Sequence, residues 1–274
     1  MQSENKGIVY TTEFISWEKN IQPLLELSEL KKHLTGSNQP ILIKPNLVEA
    51  LAPPITTPPG LIFALIKYLR TITDAKIIIG EGCGALHYET WHAYDELGYT
   101  LPAKKMQVEL LDLNSEELVH LRNKKCKRWP EMYLPRIALE SFLLSVPVLK
   151  AHSMAGVTLT MKNMMGLAPP SHYRQDNSWK KSAFHQQIQE AVADLNRYRT
   201  PDFTLLDATI GMPEAHLWGP SCNPPINLLA ASYDPVSIDA YGTSLLQRKW
   251  QDIGHIQVVD GELGQAAPLT ILNI

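Results

Sequence analysis

Short apolar segments, each ending at a polar residue, constrain the fold of this chain more than any other feature of its sequence. Residues 40–44 and 76–80 are runs of this kind, too short for buried helices and long enough for strands that are buried on both faces. Segments with helical spacing follow them, as after Thr57-Pro58-Pro59, where proline suits the first turn of a helix. The alternation predicts an α/β fold with a largely parallel sheet and helices on both faces.

The same patterns predict strands and helices along the rest of the chain. Pro23 suits the first turn of a helix better than its interior, so a helix is predicted to start there. The predicted strands are 7–12, 40–44, 76–80, 108–113, 118–121, 142–149, 203–206 and 228–232, and the predicted helices are 23–36, 57–69, 89–97, 157–165, 185–198 and 235–247. The 274 residues suit a single domain, and the alternative is two closely packed lobes that meet near residues 101–123.

Composition narrows the class of protein. A formal net charge of -3 gives no electrostatic footprint for nucleic acid, so no nucleic-acid partner is expected. The polar start lacks a secretory signal, and no apolar run reaches the roughly 18 residues that a membrane-spanning helix needs. We therefore expect a cytoplasmic protein with no membrane partner. The sequence does not indicate the oligomeric state.

Polar residues lie where the predicted strands end. In open α/β sheets, ligands bind outside the carboxyl ends of the strands, so such residues are expected to converge. Solvent exposure of strand ends is the simpler explanation for each residue taken alone. The residues concerned are Lys44, Asn46, Glu81, Lys150, His152, Asp207 and Asp234.

The segment from Lys150 to Asn163 places two lysines and a histidine among apolar residues. Apolar surroundings disfavour the charged form of lysine, which makes Lys162 a candidate base or imine-forming nucleophile. If the segment is helical, Thr158 and Lys162 share one face. The alternative is that Lys162 extends to solvent and His152 is hydrogen-bonded in the core.

Two further loops are candidate binding sites. Thr56 and Thr57 stand at a helix start, where they could bind an anion or simply cap the helix. The segment Glu81-Gly82-Cys83-Gly84 could let backbone approach a ligand, although it matches no nucleotide-binding motif, and Cys83 is expected to be a packed thiol.

Cofactors are less well indicated. The three cysteines are far apart, so no iron-sulfur cluster is expected. A divalent metal is left open, because several histidines with Glu81 or Asp207 could supply ligands, although no two of these histidines have the H-x-x-x-H spacing. The histidines are His152, His172, His185 and His216.

Taken together, these residues resemble the family known as domain of unknown function 362. The motifs are Ile43-Lys44-Pro45-Asn46, Thr56-Thr57-Pro58, Gly80-Glu81-Gly82, the segment 147–152, Thr158 with the segment 161–166, His185, Asp207, and Asp234-Pro235 with Asp239. Many members of that family carry ferredoxin-like cysteine clusters, which this chain lacks. The resemblance implies the fold and the place of the site, but no agreed reaction.

The leading hypothesis is an enzyme that performs proton transfer on a small anionic, carboxylate-bearing substrate, as an isomerase, lyase or cyclase. Lys162 or His152 would be the base, and Glu81 or Asp207 the acid. The residues expected to bind the substrate are Lys44, Asn46, Thr56, Thr57, Lys150, Asn163 and His185. The rival hypothesis is a non-catalytic protein that binds a small ligand or a redox partner.

Overall fold

Most strands of the chain join one large sheet. The computed structural model describes residues 5–176 and 178–274. Strands β5 and β6 form a separate hairpin, and the other ten belong to the large sheet. The strands are β1 (Ile8–Glu13), β2 (Ile41–Pro45), β3 (Ile77–Glu81), β4 (Glu109–Asp112), β5 (Leu118–Arg122), β6 (Glu131–Pro135), β7 (Phe142–Val146), β8 (Val148–His152), β9 (Gly156–Thr158), β10 (Phe203–Met212), β11 (Leu228–Ser232) and β12 (Thr270–Asn273).

Helices connect these strands and cover the sheet. Short 3₁₀ helices of the described residues include Met164–Leu167, Ser182–His185 and Trp250–Asp252. No helix in the described ranges is long and apolar enough to cross a membrane. The α-helices are α1 (Trp17–Leu27), α2 (Leu30–Leu34), α3 (Pro59–Ile72), α4 (Thr90–Glu96), α5 (Thr100–Lys105), α6 (Arg136–Glu140), α7 (Thr160–Asn163), α8 (Pro170–Tyr173), α9 (Ile188–Tyr198), α10 (Pro235–Leu245) and α11 (Gly254–Val259).

The sheet is largely parallel, as the sequence predicts. Its main path runs β12-β1-β11-β10-β7-β2-β3-β4, and β10, β7, β2, β3 and β4 pair in parallel. Strand β11 runs antiparallel to both β10 and β1. Strand β8 extends the sheet beyond β7 by pairing in parallel with the second half of β10, and β9 pairs with β8.

Side chains of the central strands enter two apolar cores, one on each face of the sheet. Leu42 and Ile78 lie in one core, while Ile41, Ile43 and Ile79 lie in the other. Successive side chains of a strand point to opposite faces, so a strand covered on both sides needs an uninterrupted apolar run. This burial explains why the short apolar segments identify β2 and β3 so directly.

The prediction that a helix starts at Pro23 is wrong. Pro23 lies inside α1, which begins at Trp17. Ser16 sets the start, because its side chain accepts a hydrogen bond from the Lys19 amide at 3.3 Å, as an N-cap residue does. Burial of Ile21 and Leu24 against the sheet outweighs the helix hydrogen bond that the proline removes.

The segments around the candidate site also differ from prediction. The predicted strand 142–149 is two strands, β7 and β8, which are separated at Pro147. The predicted helix 157–165 begins as β9, so Thr158 does not share a helical face with Lys162. Pairing of this segment with β8 decided its structure, and the sequence alone does not reveal that pairing.

Two aspartates that were expected at strand ends are placed differently. Strand β10 continues to Met212, so Asp207 lies within it rather than after it. Asp234 follows β11, whose antiparallel direction puts it at the opposite edge of the sheet. There its carboxylate caps α10 by accepting hydrogen bonds from the Val236 and Ser237 amides.

Candidate functional site

A cavity of about 60 Å³ lies at the carboxyl ends of β2, β3 and β8, where α7 and the loop before α9 close over them. This edge of the sheet is where ligands bind in open α/β folds. The cavity is lined by Lys44, Asn46, Val48, Glu81, Gly82, Gly84, Lys150, His152, Thr158, Lys162, Asn163, Met165, Gly166, Trp179, Lys181, His185 and His216.

Lys44 and Glu81 form a buried ion pair at the base of the cavity. Lys44 Nζ donates to Glu81 Oε1 at 2.7 Å, and to Pro45 O and Asn163 Oδ1 at 3.2 Å each. Three acceptors match the three N–H bonds of an ammonium, so Lys44 keeps none for a ligand. Burial lowers the pKa of Lys44, and the negative charge of Glu81 opposes that shift.

Every contact of the Glu81 carboxylate uses it as an acceptor. Oε1 accepts from the Gly82 amide at 2.8 Å in addition to Lys44, and Oε2 accepts from the Leu47 amide at 3.0 Å. In none of these contacts does the Glu81 carboxyl group donate a proton. The arrangement suits a structural anion that holds Lys44 in place better than the general acid predicted from the sequence.

Two glycines allow this ion pair to lie against the 3₁₀ helix that follows α7. A Cβ atom at Gly166 would overlap Glu81 Oε1 and Lys44 Nζ, and one at Gly82 would overlap the Gly166 carbonyl oxygen. The glycines at residues 82 and 84 were predicted to admit a ligand. At Gly82 the group that approaches closely is the chain's own backbone.

Two asparagines extend the hydrogen-bond network from Lys44. Asn163 Oδ1 accepts from both Lys44 and Asn46 Nδ2, the latter at 3.0 Å, and Asn163 Nδ2 donates to Ser145 Oγ at 3.1 Å. Asn46 is buried, and its Oδ1 has no hydrogen-bond partner among the described residues.

Three more lysines line the cavity, and burial lowers the pKa of each. The pKa of Lys150 lies well below its usual value because of burial and the positive charge of Lys162. Burial lowers the pKa of Lys162 to about 8 and that of Lys181 to about 7. Lys150 Nζ donates to the Ile55 carbonyl at 2.5 Å, and Lys181 donates to Asn114 Oδ1 and the Ala168 carbonyl.

Lys162 differs from the other cavity lysines in its contacts. Its ammonium makes no hydrogen bond or ion pair within residues 5–176 and 178–274. It lies on α7, and the cavity supplies the space beside it. An unpaired amine with a pKa near 8 is neutral in about a tenth of the molecules at pH 7, against fewer than about one in a thousand at the usual pKa of a lysine.

His152 is held as a hydrogen-bond donor. Its Nδ1 accepts from the amides of Met154 and Ala155, both at 3.1 Å. Burial, followed by the positive charge of Lys162, holds the pKa of His152 far below its usual value, so the ring is neutral. A neutral imidazole with Nδ1 as acceptor carries its proton on Nε2, which leaves no free lone pair for a base or a metal ligand.

Two other histidines border the cavity. His216 stacks on His152 with ring centroids 3.9 Å apart, and burial with the charge of Lys162 lowers the pKa of His216 to about 4. The same two causes lower the pKa of His185, whose ring packs edge-on against Trp179. Both rings are therefore neutral at neutral pH.

Three predicted site residues do not line the cavity. The Thr56 hydroxyl donates to the Leu51 carbonyl, and the Thr57 hydroxyl donates to the Val146 carbonyl at 2.7 Å. Asp207 accepts from the amide and hydroxyl of Thr209, and burial raises its pKa. The threonine hydroxyls therefore bond to backbone carbonyls of other segments, and neither caps α3, whose N-cap residue is Pro58.

Lys181 and Trp179 were not identified from the sequence. They belong to a polar loop between α8 and the 3₁₀ helix at Ser182–His185, where no periodic pattern marks a buried side chain. The adjacent basic pair Lys180-Lys181 is the only local signal, and such pairs are typical of solvated surfaces.

Cys83 is the packed thiol that the sequence predicts, since it is buried and burial raises its pKa to about 12.

The charges around the cavity suit an anion. Lys44, Lys150, Lys162 and Lys181 face one carboxylate, Glu81. In the part of the chain that the structure describes, no three His, Cys, Asp or Glu side chains are placed to hold a metal ion. The donor set therefore does not fit a divalent metal bound by the protein alone.

The fold and the site together define an α/β protein with an electropositive cavity at the carboxyl ends of parallel strands. The chain belongs to the family described as "Domain of unknown function (DUF362)", whose profile matches residues 41–244. This match confirms the resemblance read from the motifs. Comparison with curated proteins found no significant match.

Among solved structures, the chain is similar in fold to the lactate racemase apoprotein from Thermoanaerobacterium thermosaccharolyticum. The TM-score is 0.50 and the sequence identity is 15%. The superposition covers 87% of this chain and 57% of that chain, so this chain spans little more than half the length of that protein.

Proposed function

We propose that this protein is an enzyme that catalyses proton transfer at a carbon atom of a small carboxylate, as an isomerase or racemase does. The observation that carries the proposal is Lys162, a cavity lysine without a partner in the described residues, whose pKa is lowered to about 8. A base works best when its pKa lies near the operating pH.

The surrounding groups suit the rest of such a reaction. Lys150 and Lys181 line the same cavity, where their N–H groups can donate hydrogen bonds to a carboxylate. His152 lines the cavity and carries its proton on Nε2, so it offers a neutral donor that can stabilise the oxygen that gains negative charge when the carbon loses its proton. Lys162 would take that proton and return it.

This assignment changes two roles predicted from the sequence. His152 becomes the hydrogen-bond donor instead of an alternative base, because its Nδ1 is occupied by two amides. Glu81 becomes the counterion of Lys44 instead of the acid. A divalent metal in this cavity would need anionic ligands from outside the chain, because lysines surround it.

The similarity of fold supports the isomerase class. The related structure is named a lactate racemase, so a sheet of similar arrangement carries an isomerisation in another protein. Folds host many functions, and the likeness therefore adds to the argument from Lys162 without replacing it. A non-catalytic anion-binding protein, the rival hypothesis, would gain nothing from lowering the pKa of an unpaired cavity lysine to about 8, whereas a base at neutral pH does.

Deuterium exchange tests the proposal. The protein is incubated in D₂O with a panel of small carboxylates, including both enantiomers of lactate, and loss of the carbon-bound proton signal is followed by NMR. We expect exchange with the wild type, and a loss of at least 100-fold in Lys162→Met, because general-base catalysis contributes about 10² to 10⁴ in rate.

The matched control is Lys67→Met, which removes an exposed lysine from α3, remote from the cavity. It should exchange at the wild-type rate, and circular dichroism should show all three proteins folded. Equal exchange in Lys162→Met and wild type, or no exchange with any member of the panel, would refute the proposal.

A further inference from the structure

Asn46 presents a hydrogen-bond acceptor that the described residues leave unsatisfied. The residue is only 7% exposed and lines the cavity, and its Oδ1 has no partner. Buried polar atoms are nearly always hydrogen-bonded, so an atom of this kind points to a missing donor. Thr158 Oγ1 and His216 Nδ1 are unpartnered in the same way and line the same cavity.

The orientation of the Asn46 amide follows from the charge on Lys44. An ammonium can only donate, so the atom of Asn163 that faces Lys44 must be its oxygen. That same oxygen faces Asn46, which must therefore turn its NH₂ group toward it. Flipping either amide would oppose two donors or two acceptors, and Asn46 Oδ1 is thereby fixed as the free acceptor.

The donor that meets this oxygen must be electrically neutral. Lys150, Lys162 and Lys181 line the same cavity, and a ligand ammonium would be repelled by them. A hydroxyl group donates one hydrogen bond without adding positive charge. Glu81 pairs with Lys44, so the N–H bonds of the other cavity lysines are not used by that carboxylate. We therefore expect the same ligand to carry a carboxylate that accepts from them.

The size of the cavity limits how far apart the two ligand groups can be. Its volume is about 60 Å³, and about 10–15 Å³ of such space holds one water molecule. A ligand that fills it without displacing the walls has only a few non-hydrogen atoms. Its hydroxyl and carboxylate must therefore lie close together.

We infer that the substrate is a short-chain carboxylate that carries a hydroxyl group close to the carboxylate, and that this hydroxyl donates to Asn46 Oδ1. The inference rests on the anion site of the proposed function and adds the hydroxyl requirement to it. Sites built to hydrogen-bond a hydroxyl discriminate strongly against analogues without one, because the site's own polar atom is then left unpaired.

Four small molecules of nearly equal size test the hydroxyl, the neutral donor and the carboxylate separately. Glycolate carries both groups, acetate lacks the hydroxyl, glycine replaces it with an ammonium, and glycolamide lacks the negative charge. Binding of each to the wild-type protein is measured by NMR titration at pH 7. We expect glycolate to bind at least tenfold more tightly than acetate, and both to bind more tightly than glycine or glycolamide.

Replacing Asn46 tests the assignment of the hydroxyl. In Asn46→Ala the preference for glycolate over acetate should fall to less than twofold. In the control Asn38→Ala, which changes an exposed asparagine remote from the cavity, it should remain at least tenfold. The wild-type comparison of glycolate with acetate stands by itself if the Asn46 variant does not fold.

The outcomes separate this inference from the proposed function. Equal binding of glycolate and acetate by the wild type would overturn the inference and leave the anion site intact. Tightest binding of glycine would overturn the argument for a neutral donor. A retained preference in Asn46→Ala would remove the role of Asn46, and no binding of glycolate or acetate would overturn both the inference and the anion site.

Discussion

The lysines of the cavity share a side-chain type but differ in what their ammonium groups contact. Lys44 is saturated by three acceptors, and Lys150 and Lys181 each contact backbone carbonyl oxygens. Lys162 has no such contact in the described chain, and burial alone lowers its pKa. The chemistry of a lysine here depends on its partners, which the sequence does not display.

The pH dependence of deuterium exchange should follow the protonation of Lys162. Because the base must be neutral to accept a proton, kcat/KM should rise with pH up to about 8 and stop rising above it. The measurement is the NMR exchange rate between pH 6 and 9. A flat profile over that range would contradict Lys162 as the base.

The Lys44–Glu81 pair allows a stability prediction. Glu81→Gln would leave a buried ammonium without its counterion, and we expect the free energy of unfolding to fall by about 3–5 kcal/mol. The double variant Lys44→Met with Glu81→Gln removes both charges and should recover much of that loss. Urea unfolding measures both, and a loss below about 1 kcal/mol in the single variant would show that the pair is not desolvated in solution.

The short helix α7 carries both Lys162 and Asn163, and it is fixed by neighbouring elements rather than by its own length. Asp239 of α10 accepts hydrogen bonds from the Thr160 and Met161 amides at 2.7 and 3.0 Å. Asn196 of α9 donates to the Met161 carbonyl at 2.9 Å. A single helical turn is unstable alone, so these contacts set the position of Lys162.

Asp239→Asn should misplace α7 without unfolding the protein. The amide NH₂ would face one of the two backbone N–H groups, so one hydrogen bond becomes a donor–donor conflict. We expect unfolding to become easier by about 1–3 kcal/mol and exchange activity to fall by at least tenfold. In Ser237→Ala, a control on the same helix that loses its hydrogen bond to the Gln265 carbonyl, activity should be retained. Equal activities in the two variants would contradict a positioning role for Asp239.

At the scale of elements, the sequence identifies what burial on both faces dictates. Strands β2 and β3 lie within one residue of their predicted bounds, since their apolar runs fill two cores. Lys44, Glu81, Lys150 and His152 were found because they end such runs and share one sheet edge. Asp207 was placed wrongly and Lys181 was missed, because strand pairing and loop packing, which position them, leave no local pattern.

For the whole molecule, the distribution of charge matters more than its sum. The chain has a formal net charge of -3, yet its cavity gathers four lysines around one carboxylate. The lysines lie on β2, β8, α7 and the loop before α9, far apart in sequence. The parallel sheet and the helix packing concentrate positive charge that the composition does not reveal.

Keeping these charges buried should make stability depend on pH. Burial lowers the pKa of Lys181 to about 7 in the folded protein, while in the unfolded chain it lies near its usual value of 10.5. Between these values the unfolded state binds more protons than the folded state, so the contribution of Lys181 to the free energy of unfolding increases with pH. Burial raises the pKa of Asp239, while the two amides that it accepts oppose that shift, so its titration acts in the opposite direction and the total slope does not isolate the lysine.

The difference between wild type and Lys181→Met isolates that contribution. The variant loses its hydrogen bonds to Asn114 and Ala168 at every pH, which offsets its stability by a constant amount. The titration of Lys181 is then the part of the difference that changes with pH. We expect the stability of the wild type, relative to the variant, to increase steadily from pH 7 to 8.5 in urea unfolding curves. A difference that stays constant over this range would mean that Lys181 keeps its usual pKa, and that the cavity is more hydrated than its packing indicates.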